Sequence, residues 1–66
     1  MNKILKARII QLFGSQFEFA KAVGEHEANV SRVIRGRRAL SPEERMRWAI
    51  ALDCDDPRDI FQTHGE

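Results

Sequence analysis

The chain has 66 residues, a formal charge of +1, and 42% hydrophobic and 32% charged residues. This composition predicts one small globular domain over residues 1–66, with little room for a deep substrate cavity. The nearly neutral charge excludes bulk positive charge as a basis for nucleic-acid binding, so such binding would depend on a local basic patch.

The single cysteine, Cys54, excludes an internal disulfide, and no Cys/His spacing indicates zinc. It occupies a position typical of a small apolar core residue, so a buried, inert thiol is expected. Lys3, Lys6 and Arg8 interrupt the apolar residues near the N-terminus, which argues against a signal peptide. No apolar run approaches the roughly 18 residues of a membrane span. We therefore expect a cytoplasmic protein without membrane contact, metal or cofactor.

Apolar residues at helical spacing predict two helices in the first part of the chain. The first runs from about Lys3 to Phe13 and ends at Gly14. Its buried stripe is predicted to be Leu5, Ile9, Leu12 and Phe13. The second begins after Ser15, which together with Glu18 predicts a reciprocal capping box, and it ends at Gly24. Its buried stripe is predicted to be Phe19, Ala20 and Val23.

Three further helices are predicted, which makes an all-α, compact five-helix bundle. The third covers roughly Glu27–Arg35, ends at Gly36, and buries Val30, Val33 and Ile34. Ser41-Pro42-Glu43-Glu44 predicts a capped start for the fourth, which continues to about Leu52. Asp56-Pro57-Arg58-Asp59 predicts a last short turn of helix that carries Ile60 and Phe61. A polar tail follows at Gln62–Glu66.

About three residues after Gly24 join the second and third helices. Two short amphipathic helices with a glycine-containing turn are typical of a helix-turn-helix, here over about residues 16–35. In that motif the second helix enters the DNA major groove. Any antiparallel pair of helices has the same spacing, so this feature alone does not decide the function.

The outer face of the third helix carries a more specific pattern. At about 100° per residue, its apolar stripe leaves an outward row of Ala28, Ser31, Arg32 and Arg35, flanked by Glu27 and Asn29. Arginine suits guanine, asparagine suits adenine, glutamate accepts from cytosine N4, and a methyl group suits thymine. The predicted base-contacting residues are therefore Glu27, Ala28, Asn29 and Arg32.

Charge is distributed unevenly along residues 24–38, GEHEANVSRVIRGRR. Glu25 and Glu27 lie at the start of the third helix, where the helix dipole favours negative charge by about 0.3–1 kcal/mol each. Arg35, Arg37 and Arg38 lie at the other end, where they could reach phosphates. About two to four phosphate contacts per subunit would make DNA binding strongly salt-dependent.

Three motifs in register resemble the Cro/C1-type (Xre-like) helix-turn-helix family of phage and bacterial repressors. They are Ser15-Gln16-x-x-Phe19-Ala20 with Gly24, then Val30-Ser31-Arg32-Val33, then Arg35-Gly36-Arg37-Arg38. The resemblance covers about residues 3–61. It implies a lambda-repressor-like domain that binds operator double-stranded DNA, usually as a homodimer, to regulate transcription. The predicted phosphate-contacting residues are Gln16, His26, Ser31, Arg35, Arg37 and Arg38, and the implied core face of the fourth helix is Trp48, Ala49 and Leu52.

The sequence departs from the family pattern where the third helix begins. Glu25 stands where the family usually has an aliphatic residue, and His26 where it usually has a serine or threonine cap. Glu27 and Ala28 replace the common glutamines and serines. The base sequence that this helix would read therefore does not follow from the resemblance.

The same residues also have simpler structural explanations. Arginines on an exposed helix are commonly only solvated charge, the helix dipole alone explains Glu27, and His26 suits a capping or turn position. The paired carboxylates lie at predicted helix starts, where capping explains them, and no partner residue indicates catalysis. We expect no catalytic residue.

The apolar residues outside the predicted core stripes include Phe17, Met46 and Ile50. These three residues are predicted to form a homodimer or protein-partner surface, although the rim of a small core is often apolar as well. Two-fold pairing would let two such domains bind two DNA half-sites.

The prediction is a dimeric, sequence-specific regulator, a repressor of phage or bacterial type. The alternative is a protein-interaction module, such as the DNA-binding antitoxin of a toxin–antitoxin pair, and a small enzyme ranks third.

Overall fold

The computed structural model describes residues 1–61, and the polar tail predicted at Gln62–Glu66 lies outside this range. Over the described residues the chain forms four α-helices and no β-strand. The helices are α1 (Lys3–Phe13), α2 (Gln16–Val23), α3 (Glu27–Ile34) and α4 (Pro42–Ala51). The predicted all-α fold is confirmed. None of these helices is long and apolar enough to cross a membrane.

The fifth predicted helix is instead a single 3₁₀ turn, Pro57–Asp59. Asp56 caps it, since its Oδ1 accepts from the Arg58 N–H at 3.0 Å. Proline brings no amide hydrogen, and so short a segment forms too few i→i−4 bonds to offset the cost of helix nucleation. The prediction of five helices was therefore wrong. Ile60, which follows the turn, is nevertheless buried in the core.

Side-chain caps define where α2 and α4 begin. The Ser41 hydroxyl accepts from the Glu44 N–H at 3.1 Å, and the Glu44 carboxylate accepts from the Ser41 N–H at 2.9 Å, so the capping box predicted at α4 is complete. At α2 the Ser15 hydroxyl accepts from the Glu18 N–H at 3.1 Å. The Glu18 carboxylate lies 3.6 Å from Lys21 Nζ instead of returning to Ser15, so the box predicted there is half formed.

A Schellman motif at Gly24 ends α2 and turns the chain towards α3. Gly24 has φ +74°, a left-handed conformation that glycine adopts without steric cost. Its N–H donates to the Lys21 carbonyl at 3.3 Å, and the Glu25 N–H donates to the Ala20 carbonyl at 2.9 Å. These two bonds satisfy the last carbonyls of α2 and determine where α3 starts.

The core centres on aromatic rings from different parts of the chain. Phe19 packs edge-on against Phe13 and Trp48, with ring centroids 5.2 and 5.0 Å apart, and Phe61 lies 6.1 Å from Trp48. Cys54 is buried, as predicted, and its Sγ donates to the Asp56 carbonyl at 3.1 Å. The buried apolar residues are Leu5, Ile9, Phe19, Ala20, Val23, Val30, Val33, Ile34, Leu40, Trp48, Ala49, Leu52, Cys54 and Ile60.

Two core assignments differ from the sequence prediction. Leu12 is 46% exposed, because the side of α1 that meets the core follows the i, i+4 row of Leu5, Ile9 and Phe13. Leu12 lies beside this row, at the rim. Leu40 is buried although it belongs to no helix, since the α3–α4 connection folds back over the core.

Asn2 joins the start of α1 to two distant parts of the chain. Its Oδ1 accepts from the Leu5 N–H at 2.9 Å and so caps α1. Its backbone N–H donates to the Ile34 carbonyl at 2.6 Å, and its side-chain amide donates to the Ile60 carbonyl. The last residue of α3 is therefore held against the N-terminus of the domain.

Candidate nucleic-acid interface

The helix α3 separates a buried side from an exposed one. Val30, Val33 and Ile34 are buried against the rest of the protein. The opposite side carries the exposed residues Ala28, Arg32 and Arg35, and His26 and Glu27 are exposed at the start of the helix. Two further residues of the predicted site, Asn29 and Ser31, are half-buried. The structure thus places seven of the ten predicted DNA-contacting residues along one helix and its caps.

Asn29 is held by hydrogen bonds at both ends of its amide. Its Nδ2 donates to Glu25 Oε1 at 3.3 Å, and its Oδ1 accepts from Arg32 Nη1 at 3.3 Å. The prediction for Glu25 from the sequence concerned the helix dipole and did not include these two bonds. The i, i+3 spacing of Asn29 and Arg32 within α3 is a signal for their bond. Glu25 precedes the helix, so helical spacing does not indicate its bond to Asn29.

His26 takes the N-cap position of α3 but does not cap the helix with its side chain. Its backbone is extended, with φ −81° and ψ 145°, and its imidazole makes no capping hydrogen bond. Only the His26 carbonyl is used, accepting from the Asn29 N–H at 3.0 Å. His26 is therefore an exposed N-cap residue that supplies only its backbone to the start of α3.

The three arginines after α3 lie in different environments. Arg35 is the C-cap, and Gly36, with φ +80°, allows the Arg37 N–H to return to the Arg32 carbonyl at 2.8 Å. Arg35 and Arg37 are exposed, whereas Arg38 is half-buried. Arg38 Nη2 lies 3.5 Å from Glu44 Oε2, so its guanidinium is directed towards α4. Of the predicted phosphate-contacting pair, Arg37 is the more accessible.

The electrostatics of Glu44 reflect its cap rather than the neighbouring arginine. The Ser41 backbone N–H, which donates to this carboxylate, holds the pKa of Glu44 below its ordinary value. The Ser41 hydroxyl and Arg38 lower the same pKa further, while partial desolvation opposes them. Arg38 is thus bound to a carboxylate that stays charged at neutral pH.

Gln16, the remaining predicted phosphate contact, is the first residue of α2 and is half-buried. Ser15 caps this helix through its hydroxyl. The first turn of an α-helix leaves backbone N–H groups available and carries partial positive charge, which favours an anion there. The position suits the phosphate contact predicted for Gln16.

The predicted partner residues are exposed but belong to two helices. Met46 and Ile50 lie on α4 and are 49% and 70% exposed, and Phe17 lies on α2 and is 52% exposed. Met46 lines a groove of about 420 Å³ together with Pro42, Arg45, Pro57, Arg58 and Phe61. Phe17 instead packs beneath Lys21, whose Nζ is 5.2 Å from the ring centroid. The groove beside Met46 is therefore the better-defined apolar surface.

A comparison of the chain with protein-family models finds no match. Comparisons with curated proteins and with solved structures find no match either. The resemblance to the Cro/C1-type family therefore rests on the motifs quoted from the sequence.

Proposed function

We propose that the protein is a sequence-specific DNA-binding regulator in which α2 and α3 form a helix-turn-helix. The observation that carries this proposal is the composition of the exposed side of α3. Ala28 and Arg32 project from it, over an underside anchored by buried valine and isoleucine. A methyl group and a guanidinium are two of the groups that read base edges in the major groove.

The dimensions of α3 suit that groove. With its side chains, an α-helix is about 10–12 Å in diameter. The major groove of B-DNA is about 12 Å wide and accepts an α-helix. In this proposal the first turns of α3, with Glu27, Ala28 and Arg32, face the bases.

The charges near the ends of α2 and α3 support an orientation in which α3 lies in the major groove between two rows of phosphates. Arg35 and Arg37 are exposed just after α3, where they would meet phosphates on one side of the groove. Gln16 lies at the positive end of α2, where it would meet phosphates on the other. Base contacts then specify the site, and these phosphate contacts set the register of the protein on the duplex.

We further propose that two copies bind together through the apolar side of α4. Ile50 and Met46 are separated by one helical turn and are both exposed. Two-fold pairing would place two α3 helices on successive half-sites of a palindromic operator. Occupation of such an operator would repress transcription by excluding the polymerase.

Selection of bound fragments from a random duplex DNA library tests the proposal. Enrichment of one two-fold symmetric sequence is the expected result. A library that remains random after several rounds with folded protein would reject sequence-specific DNA recognition.

A second candidate function is protein binding, favoured by the groove beside Met46. Its walls are apolar at Pro42, Met46, Pro57 and Phe61, which suits an apolar anchor from another protein. An antitoxin-like role would use this surface for a toxin and α3 for DNA. A small toxin gene next to this one would favour that version.

A further inference from the structure

Glu25 occupies a position whose backbone is fixed by the end of α2. It is the residue after Gly24 in the Schellman motif, and its N–H donates to the Ala20 carbonyl at 2.9 Å. In this motif the equivalent side chain commonly makes an apolar contact with the helix that has just ended. Glu25 instead directs its carboxylate towards α3, where it accepts from Asn29 Nδ2 at 3.3 Å.

The bond from Glu25 determines which way the Asn29 amide faces. A carboxylate accepts hydrogen bonds and donates none, so only the Nδ2 end of the amide can face it. The oxygen end then faces the next turn of the helix, where Oδ1 accepts from Arg32 Nη1 at 3.3 Å. Glu25, Asn29 and Arg32 thus form a directional relay along α3. It runs from a half-buried acid to an exposed guanidinium.

The relay changes which base each side chain can read. An asparagine that pairs with adenine uses its Nδ2 and its Oδ1 together, on N7 and N6 of one base. In this structure each of these groups already makes one hydrogen bond, so Asn29 has only its second N–H and its second lone pair left for adenine, whereas Arg32 is exposed and has further N–H donors for guanine O6 and N7.

We propose that Glu25 is a positioning residue that sets base specificity, an inference that rests on the proposed function. It holds the Asn29 amide in one orientation, and Asn29 in turn holds Arg32. The half-site is therefore read as guanine by Arg32 instead of adenine by Asn29. Glu25 itself contacts no base. Its replacement frees the Asn29 amide and weakens the preference for guanine.

The test compares base preferences of the intact protein and four variants in the random duplex library. In Glu25→Ala the relay is broken, and the selectivity for guanine at the Arg32 position is expected to fall roughly tenfold. In Glu25→Gln a side-chain carbonyl can still accept from Asn29, so most of the selectivity is expected to remain. Glu43→Ala, which removes an exposed glutamate from α4, serves as the control for charge alone and should leave the selectivity unchanged.

Asn29→Ala keeps the inference testable if Glu25→Ala does not fold, as judged by circular dichroism. If Asn29 positions Arg32, this variant loses guanine selectivity. If Asn29 reads adenine directly, the variant loses an adenine and keeps the guanine, which overturns the inference. The side-chain NH₂ resonances of Asn29 in the DNA-free protein add a readout that is independent of binding. They should shift in Glu25→Ala and stay close to their original positions in Glu25→Gln.

Failure of this inference is distinct from failure of the proposed function. If the unmodified protein enriches a sequence and folded Glu25→Ala enriches the same one with equal selectivity, the relay has no role in specificity. The same conclusion follows if Glu25→Gln loses the guanine as fully as Glu25→Ala, or if Glu43→Ala also loses it. If the unmodified protein enriches no sequence, the proposed function is rejected, and this inference with it.

Discussion

Arg32 is exposed on the solvent side of α3, and both its backbone and its side chain are restrained. Its neighbours Val33 and Ile34 are buried, so the backbone that carries it is held by the core. Its Nη1 is restrained by Asn29 Oδ1 at 3.3 Å. A guanidinium that is held before binding loses less conformational freedom on contact with a base than a free one.

Arg32→Ala should therefore weaken binding to the selected operator by about 1–3 kcal/mol and relax the preference at one base pair. Fluorescence anisotropy titrations against the operator and against single-base variants would measure both effects. Arg47→Ala, which removes an exposed arginine from α4, is the matched control and should keep full selectivity. Unaltered base preference in Arg32→Ala would remove Arg32 from the predicted site.

In the helix α4, a residue that caps the helix also contacts a more distant part of the chain. Ser41 and Glu44 complete the capping box, and Pro42 occupies the first helical turn. The Glu44 carboxylate also lies 3.5 Å from Arg38 Nη2, which connects the start of α4 to the segment after α3. The cap therefore stabilises both α4 and the place where the basic segment meets it.

Ser41→Ala should lower the free energy of unfolding by about 1 kcal/mol, because an orphan N–H of α4 loses its acceptor. Urea denaturation at neutral pH would measure the loss. A similar loss in Ser15→Ala is expected, since that hydroxyl makes the equivalent bond at α2. A Ser41→Ala midpoint equal to that of the unmodified protein would show that the box contributes nothing to stability.

Stability should also fall in acid through Glu44. The pKa of this carboxyl is lower in the folded protein than its ordinary value of 4.5, mainly because of the Ser41 N–H. The folded state therefore gains stability from Glu44 above the unfolded pKa and loses it as the pH falls through the lower folded pKa. Glu44→Gln should flatten the decline below about pH 4.5 in thermal unfolding, relative to the exposed control Glu43→Gln. Equal acid profiles for the two variants would contradict this assignment.

For the whole molecule, the net charge of +1 conceals a local concentration of positive charge after α3. Arg35 and Arg37 are exposed, while Arg38 is partly neutralised by Glu44. Long-range attraction to DNA from the whole protein is consequently weak. In the proposed complex, binding should depend instead on the few arginines that would contact phosphates.

Arg37→Ala should weaken binding to operator and to unrelated DNA by a similar factor. The plot of log K against log salt concentration should also become less steep by about 0.9, which is the contribution of one phosphate contact. Titrations at several salt concentrations would give the slope, with Arg47→Ala again as the control. A loss confined to the operator would assign Arg37 to base reading rather than to phosphate contact.

Self-association should depend on the exposed apolar side of α4. Because a buried glutamate without a partner is costly, Met46→Glu combined with Ile50→Glu should convert a dimer to a monomer. Sedimentation equilibrium would measure the mass, and Ile10→Glu, which changes an isoleucine that is 45% exposed on α1, is the control. An oligomeric mass unchanged by the double substitution would place the dimer contact elsewhere.

The local features of the protein follow from its amino-acid sequence alone. Helix bounds could be predicted because they follow from caps and from apolar periodicity, as at Ser41-Pro42 and at Gly24. The division of α3 into an inner and an outer side could also be predicted, since it depends only on helical geometry and on which residues are apolar. These features need no knowledge of what lies next to the helix.

Which residues those two sides contact depends on how the helices pack in three dimensions. Leu12 fits the helical periodicity of α1 yet lies at the rim, because the core contacts the row that ends in Phe13. Arg38 is directed towards Glu44, and the Asn29 amide lies between Glu25 and Arg32. Each outcome depends on the position and direction of another residue in space. Hydrophobic periodicity describes only the helix on which it occurs, so it could not supply that information.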